Sequence, residues 1–146
     1  MRYPDDVGSR ELVTVEVEVP RFGFVKRRAD GSVDFVSPIP CPFNYGSVPG
    51  TLAPDGDPID AVVLGGRRPR GARVEARVIG EVAFVDAGDA DPKRICAIGE
   101  VSPWERAQVV LFFRAYAHAK RWLNRLRGRS GRTAVDRIAF DDGGPR

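Results

Sequence analysis

The chain has few residues that form cross-links or bind soft metals. It has two cysteines, Cys41 and Cys96, and a single histidine, His118. It holds no CxxC pair or Cys/His cluster, which excludes a zinc-finger type of site. Two isolated thiols fit a reducing compartment better than a disulfide-stapled secreted domain. No apolar run approaches the ~20 residues that a membrane-spanning helix needs. Met1 to Arg10 is polar and mixed in charge, so no signal peptide is expected. A cytoplasmic protein without membrane contact is the expectation. Neither charge sign dominates: 23 basic against 20 acidic residues leave a net charge of +3, too little to imply a nucleic-acid partner. His118 falls in a helical stretch and reads as an ordinary surface or packing residue.

The 146 residues suit one domain over positions 1–146, with 1–10 and 141–146 as loose termini. Val13, Val15, Val17 and Val19 alternate with Thr14, Glu16 and Glu18, the period of a strand with one buried face. Phe22 to Arg27, a turn at Ala29–Ser32 and Val33 to Val36 suggest a hairpin. Ser37 to Pro54 contains five prolines and reads as an ordered loop. Asp60–Leu64, Val74–Ile79, Val82–Val85, Arg94–Ile98 and Val135–Phe140 read as further short strands. Ser102-Pro103-Trp104-Glu105 is a capping box with proline at the first helical position. It opens a long helix through Tyr116 and Trp122 to about Arg127, with Gly128 ending it. Short strands between Gly/Pro turns predict a mainly β fold with one long C-terminal helix: a small barrel of five or more strands, the helix packed outside.

Charge is unevenly placed. Between Arg114 and Arg137 stand eight basic residues and one acid, Asp136, whereas acids gather in Asp55–Asp60 and Glu81–Asp91. An acidic centre with basic surroundings suits an anionic substrate bridged by metal. In Asp55-Gly56-Asp57-Pro58-Ile59-Asp60 three carboxylates crowd a tight turn leading into an apolar strand. Crowded carboxylates repel unless a cation neutralises them, and oxygen donors without imidazole or thiolate select hard ions such as Mg²⁺ or Mn²⁺. An EF-hand is excluded, since its twelfth position from Asp55 is Gly66 and not Glu. Asp86-Ala87-Gly88-Asp89-Ala90-Asp91-Pro92-Lys93 forms a second acidic loop with a lysine at its end.

Asn44-Tyr45-Gly46, Thr51-Leu52, the Asp55–Asp60 segment and the spacing of Asp86, Asp91 and Lys93 together resemble the soluble family I inorganic pyrophosphatases. Glu18-Val19-Pro20, Lys26, Phe112-Phe113 and Tyr116 extend the resemblance over roughly Val13 to Trp122. It implies an OB-like barrel with the site at its mouth. It also implies Mg²⁺-dependent hydrolysis of pyrophosphate, with Mn²⁺ or another divalent cation as substitute. By this resemblance Asp55, Asp60, Asp86 and Asp91 hold metal, Asp57 takes the proton of the attacking water and Tyr45 orients it. Lys26, Lys93 and Tyr116 bind phosphate, and Glu18 supports outer-shell water. Family members form symmetric oligomers, so a homo-oligomer is implied.

The chain departs from the family pattern at several places. Arg28 replaces an acid, Cys41 a tyrosine and Ala117 a lysine, and the short Ser37–Pro40 loop lacks the family arginine. Arg28 and Lys120 are the candidate replacements. The alternative reading is a non-catalytic or retuned relative that binds divalent metal and a different phosphorylated ligand. Nucleic-acid binding through the basic stretch Lys120–Arg132 is the weakest reading, for want of a strand-borne aromatic platform.

Overall fold

A computed structural model describes residues 11–23, 25–27, 30, 32–36, 41–54 and 56–140. The two expected loose termini, Asp55, Arg28 and the Ser37–Pro40 loop lie outside the described residues, as do the side chains of 25–27 and 34–36.

The valine alternation forms β1 (Leu12–Val19), with Val15, Val17 and Val19 buried. A short hairpin follows, β2 (Val25–Arg27) and β3 (Val33–Val36). β2 starts later than expected because Phe22 adopts a left-handed φ of 69°, which breaks the extended chain. At the hairpin turn, Asp30 Oδ1 accepts from the Ser32 amide at 2.9 Å. The proline-rich segment is only partly a loop. It contains β4 (Asn44–Val48), central in the sheet between β1 and β5 (Ile59–Leu64). Pro42 and Pro49 flank β4, and no proline falls within it, so every one of its amides remains a donor.

The two strands expected at 74–79 and 82–85 are one, β6 (Arg73–Asp86). The expected break falls at Gly80, where the pairing with β8 shifts register. A side chain there would meet the Ala139 carbonyl at 2.2 Å, so glycine lets β9 (Ala134–Phe140) approach closely without ending β6. β7 (Asp89–Ala90) folds back on β6, and β8 (Lys93–Ala97) runs parallel to β5.

The hydrogen-bonded order β1-β4-β5-β8-β6 closes through a direct β6–β1 pairing. This five-stranded ring is the expected barrel. α1 (Pro103–Leu126) begins at the predicted capping box: the Ser102 hydroxyl accepts from the Glu105 amide, and the Glu105 carboxylate accepts from the Ser102 amide. Gly128, with φ 73°, follows its C-cap. The core has two compartments. Val15, Ala61, Val63, Val78 and Cys96 fill the barrel. Phe43, Val62, Ile95, Phe84, Phe112 and Phe113 pack between the outer face of the sheet and α1. β5 is therefore apolar on both faces, which explains why its sequence shows no alternation. Among the described residues, no helix is long and apolar enough to cross a membrane.

Candidate active site

The Asn-Tyr-Gly segment opens β4, and its three residues do different work. Asn44 is fully buried. Its Oδ1 accepts from the amides of Arg21 and Arg68 at 3.1 and 2.9 Å, and its Nδ2 donates to the Gly66 carbonyl at 2.9 Å. It therefore ties the loop after β1 to the loop between β5 and β6. Gly46 allows β1 close approach, since a Cβ there would lie 2.0 Å from the Glu16 carbonyl oxygen. Tyr45, between them, points the other way and donates to Asp60 Oδ2 at 3.1 Å.

Parallel pairing of β5 with β8 sets Asp60 opposite Lys93. Lys93 Nζ lies 2.9 Å from Asp60 Oδ2 and 3.0 Å from Asp91 Oδ2, with its side chain 1% exposed. The ammonium also stands over the rings of Tyr45 and Phe84 at 5.8 and 5.6 Å. Burial alone would lower the lysine's pKa. The adjoining Asp60 and Asp91 outweigh burial and hold it above the ordinary lysine range. Burial, reinforced by the Asp60 charge, raises Tyr45 well above the usual phenol value. Burial likewise raises Tyr116 to about 12. Both phenols keep their protons at neutral pH, and Tyr45 serves as a donor to Asp60.

Asp86 ends β6 and Asp91 follows β7; in the turn between these strands Ala87 and Gly88 both take positive φ, 52° and 88°, as a two-residue hairpin of this kind requires. Asp86 is gripped from α1 and the turn after it: Asn124 Nδ2 donates to its Oδ1 at 2.7 Å, while Lys120 and, beyond the helix, Arg129 approach its Oδ2 at 3.6 and 3.4 Å. Burial would raise its pKa, but the Asn124 hydrogen bond and the two cations lower it below the ordinary carboxylate range. Lys120 in turn is lowered, first by burial, against the pull of Asp86. Lys120 is thus no solvated surface charge, with 13% of its side chain exposed. Tyr116 lies within electrostatic reach of Lys93, Asp91, Asp60 and Asp86 together. The two halves of the acidic centre therefore face one space.

Glu18 accepts from Ser47 Oγ at 2.9 Å beside this space. Asp57 is exposed on the loop entering β5, where its carbonyl accepts from the Ala53 amide. Thr51 braces that loop, accepting from the Ile59 amide at 3.0 Å and donating to the Val48 carbonyl at 2.6 Å. Asp55 and the Lys26 side chain lie outside the described residues. The structure thus draws together Tyr45, Asp60, Asp91, Lys93 and Tyr116, with Asp86 and Glu18 adjoining. Among the described residues, no three His, Cys, Asp or Glu side chains form one cluster. Asp60 and Asp91 converge instead on the Lys93 cation.

The donor set suits a hard divalent cation: carboxylate oxygens and a phenol, with both cysteine thiols buried and raised to about 12. His118 is exposed on α1, against Arg121 at 3.0 Å. Sequence reasoning missed Asn124. Its one signal is a polar residue on the buried stripe of α1, in line with Phe113, Ala117 and Lys120. Ala117, where the family lysine was expected, is 3% exposed and packed in the aromatic core.

A family model described as inorganic pyrophosphatase matches residues 15–138. The inorganic pyrophosphatase of Synechocystis is 28% identical over 137 residues, covering 80% of this chain and 81% of that protein. The soluble inorganic pyrophosphatase of Oryza sativa subsp. indica is 31% identical over 75% of this chain, which spans 60% of the rice protein's length. Among solved structures, the inorganic pyrophosphatase from Thermus thermophilus superposes with a TM-score of 0.72 at 28% identity, covering 95% of this chain and 88% of that one.

Proposed function

Because the chain belongs to the inorganic pyrophosphatase family, a family of enzymes, we propose that it hydrolyses inorganic pyrophosphate to two orthophosphates with Mg²⁺, in the cytoplasm. The observation that carries this reading is the convergence of Tyr45, Asp60 and Asp91 on the buried Lys93. Asp55, Asp60, Asp86 and Asp91 would hold the divalent ions, Mg²⁺ or Mn²⁺ in its place. When bound, such ions supply acidified water and offset phosphate charge. Asp57 accepts the proton of the attacking water, whose oxygen bonds to one phosphorus while the bridging P–O bond breaks. Tyr45 orients that water. Lys93, Lys26 and the protonated Tyr116 hold the phosphate oxygens, where positive charge and donors stabilise the leaving group. Glu18 supports the surrounding water.

Ala117, buried among phenylalanines, favours a second reading at this same site. Without the family lysine, the substrate clamp is weaker, and a retuned relative acts on or binds a different phosphorylated ligand. A phosphate-release assay with Mg²⁺ against pyrophosphate, tripolyphosphate and nucleotides separates the two. Pyrophosphate as the best substrate, turned over slowly, supports the first. No release from pyrophosphate with Mg²⁺, Mn²⁺ or Co²⁺ defeats it.

A homo-oligomer accompanies this reading. Trp104, Leu111, Trp122 and Leu126 are all more than 60% exposed and lie with Ala115 on one outer stripe of α1. Trp104 and Trp122 are placed symmetrically about Phe113, as are Leu111 and Ala115. An antiparallel α1 of a second copy would therefore meet its own complement.

A further inference from the structure

We propose that the basic cavity at the C-terminal end of α1 is a second anion site, outside the candidate active site. It takes a small ligand carrying consecutive phosphate groups, and by engaging Arg129 it loosens the hold on Asp86. The cavity measures about 430 Å³. Arg121, Arg125, Arg129 and Arg132 line it, with Asn124 and Thr133 buried beneath.

Each guanidinium is oriented by a contact that uses part of its donor set. Arg121 Nε donates to the Thr133 carbonyl at 2.9 Å. Arg125 stands 5.3 Å over the Trp122 ring, Arg132 pairs with Asp136, and Arg129 reaches Asp86 and Asn124 Oδ1, each at 3.4 Å. A guanidinium has five N–H donors, so each retains others, and its planar fork matches phosphate oxygens. Four such groups face two carboxylates, Asp86 and Asp136, leaving a positive recess. A recess walled by arginines suits a short condensed phosphate or the phosphate tail of a nucleotide. An extended nucleic acid fits less well, since none of the residues lining the cavity is aromatic and none offers a stacking surface for bases.

The cavity is wired to the acidic centre. Asn124 Nδ2 donates both to Asp86 Oδ1 and to Thr133 Oγ1, at 2.7 and 2.9 Å. The turn below the cavity also holds the hairpin that carries Asp86. Thr133 Oγ1 accepts from the Ala87 amide, and the Arg132 carbonyl accepts from the Gly88 amide. Gly131 sits so close to this hairpin that a Cβ would lie 2.5 Å from the Ala87 carbonyl oxygen. An anion that recruits Arg129 therefore removes one of the two cations on Asp86 and shifts its Asn124 partner.

The test needs neither metal nor turnover, so failure of the hydrolysis reading leaves it standing. Calorimetry in excess EDTA measures tripolyphosphate, ATP, orthophosphate and a single-stranded oligonucleotide against the wild type. The same titrations are run on the double variants Arg125→Glu/Arg132→Glu and Arg125→Gln/Arg132→Gln, each checked for folding by circular dichroism. Tripolyphosphate or ATP should bind more tightly than orthophosphate. The Glu variant should weaken this at least about tenfold, and the Gln variant less, as expected for charge-assisted contacts. The tighter of tripolyphosphate and ATP tells whether free condensed phosphate or a nucleotide is the occupant. The side-chain amide NMR signals of Asn124 should move on saturation. Equal binding by the wild type and both variants overturns the site. An oligonucleotide bound tenfold more tightly than tripolyphosphate reassigns the cavity to nucleic acid and overturns it as stated. Unmoved Asn124 signals at saturation overturn the coupling.

Discussion

Lys93 Nζ lies 2.9 Å from Asp60 Oδ2 although 33 residues separate them, and the same nitrogen holds Asp91 at 3.0 Å. One buried cation thus bridges two carboxylates assigned to metal and offsets half of their charge. Lys93→Met should leave Asp60 and Asp91 uncompensated and destabilise the fold by about 3 kcal/mol or more. Added Mg²⁺ should restore part of the loss, because a divalent cation replaces the missing charge and binds only the folded state. Urea midpoints with and without Mg²⁺ test this; a variant as stable as the wild type would show that the pairing contributes nothing.

Asp60→Asn should remove at least one divalent site in titration calorimetry, since its carboxylate sits at the centre of the Tyr45–Lys93–Asp91 group. Asp57→Asn should leave metal binding near that of the wild type and abolish phosphate release, because Asp57 is assigned to the proton. Unchanged Mg²⁺ and Mn²⁺ binding in the first variant rules out its role, and retained turnover in the second rules out the other.

Turnover of pyrophosphate should be slow. Charge-assisted phosphate contacts contribute about 1.5–3 kcal/mol each. Ala117 removes one cation, and the Ser37–Pro40 loop supplies no arginine in place of another. Both KM and kcat should suffer, since such contacts act in the ground state and the transition state alike. Steady-state kinetics showing a defect in KM alone would place the missing contacts outside the transition state.

Gly46→Ala sets a methyl where the Glu16 carbonyl oxygen stands 2.0 Å away, and β1 and β4 must part to admit it. A loss of about 2–3 kcal/mol is expected, in the range of overpacking in a well-packed interior. Urea unfolding measures it, and a loss under about 0.5 kcal/mol, the usual limit for a neutral surface change, would mean that the strands give way freely.

Stability should fall at both ends of the pH scale for different groups. Tyr45, Tyr116 and Lys93 have raised folded-state values, so their contribution is full below about pH 10 and is lost as pH climbs through those values. Asp86 is lowered, so its contribution is full above about pH 4 and is lost as pH falls through its folded-state value. Thermal melts across pH, with a spectrophotometric phenol titration, check this. If Tyr45→Phe or Tyr116→Phe removed a phenolate signal near pH 10, the burial argument would be wrong.

The sequence alone determined what depends on near neighbours. The valine alternation of β1, the capping box of α1 and the crowding of Asp55–Asp60 are local patterns with local causes, and the family signature rests on the last. Three features waited for the tertiary structure. β4 lies hidden among prolines, because a strand is defined by partners on β1 and β5 that its own sequence does not name. β6 runs unbroken through Gly80, because the residue that looks like an interruption admits β9. The charges paired by parallel register, Asp60 with Lys93, and across the fold, Asp86 with Asn124, Lys120 and Arg129, are set by distances that sequence spacing leaves open. Residue type fixes which chemistry a side chain can do; which charge faces it, and how much water remains around it, is decided only when remote strands and the helix close over the same space.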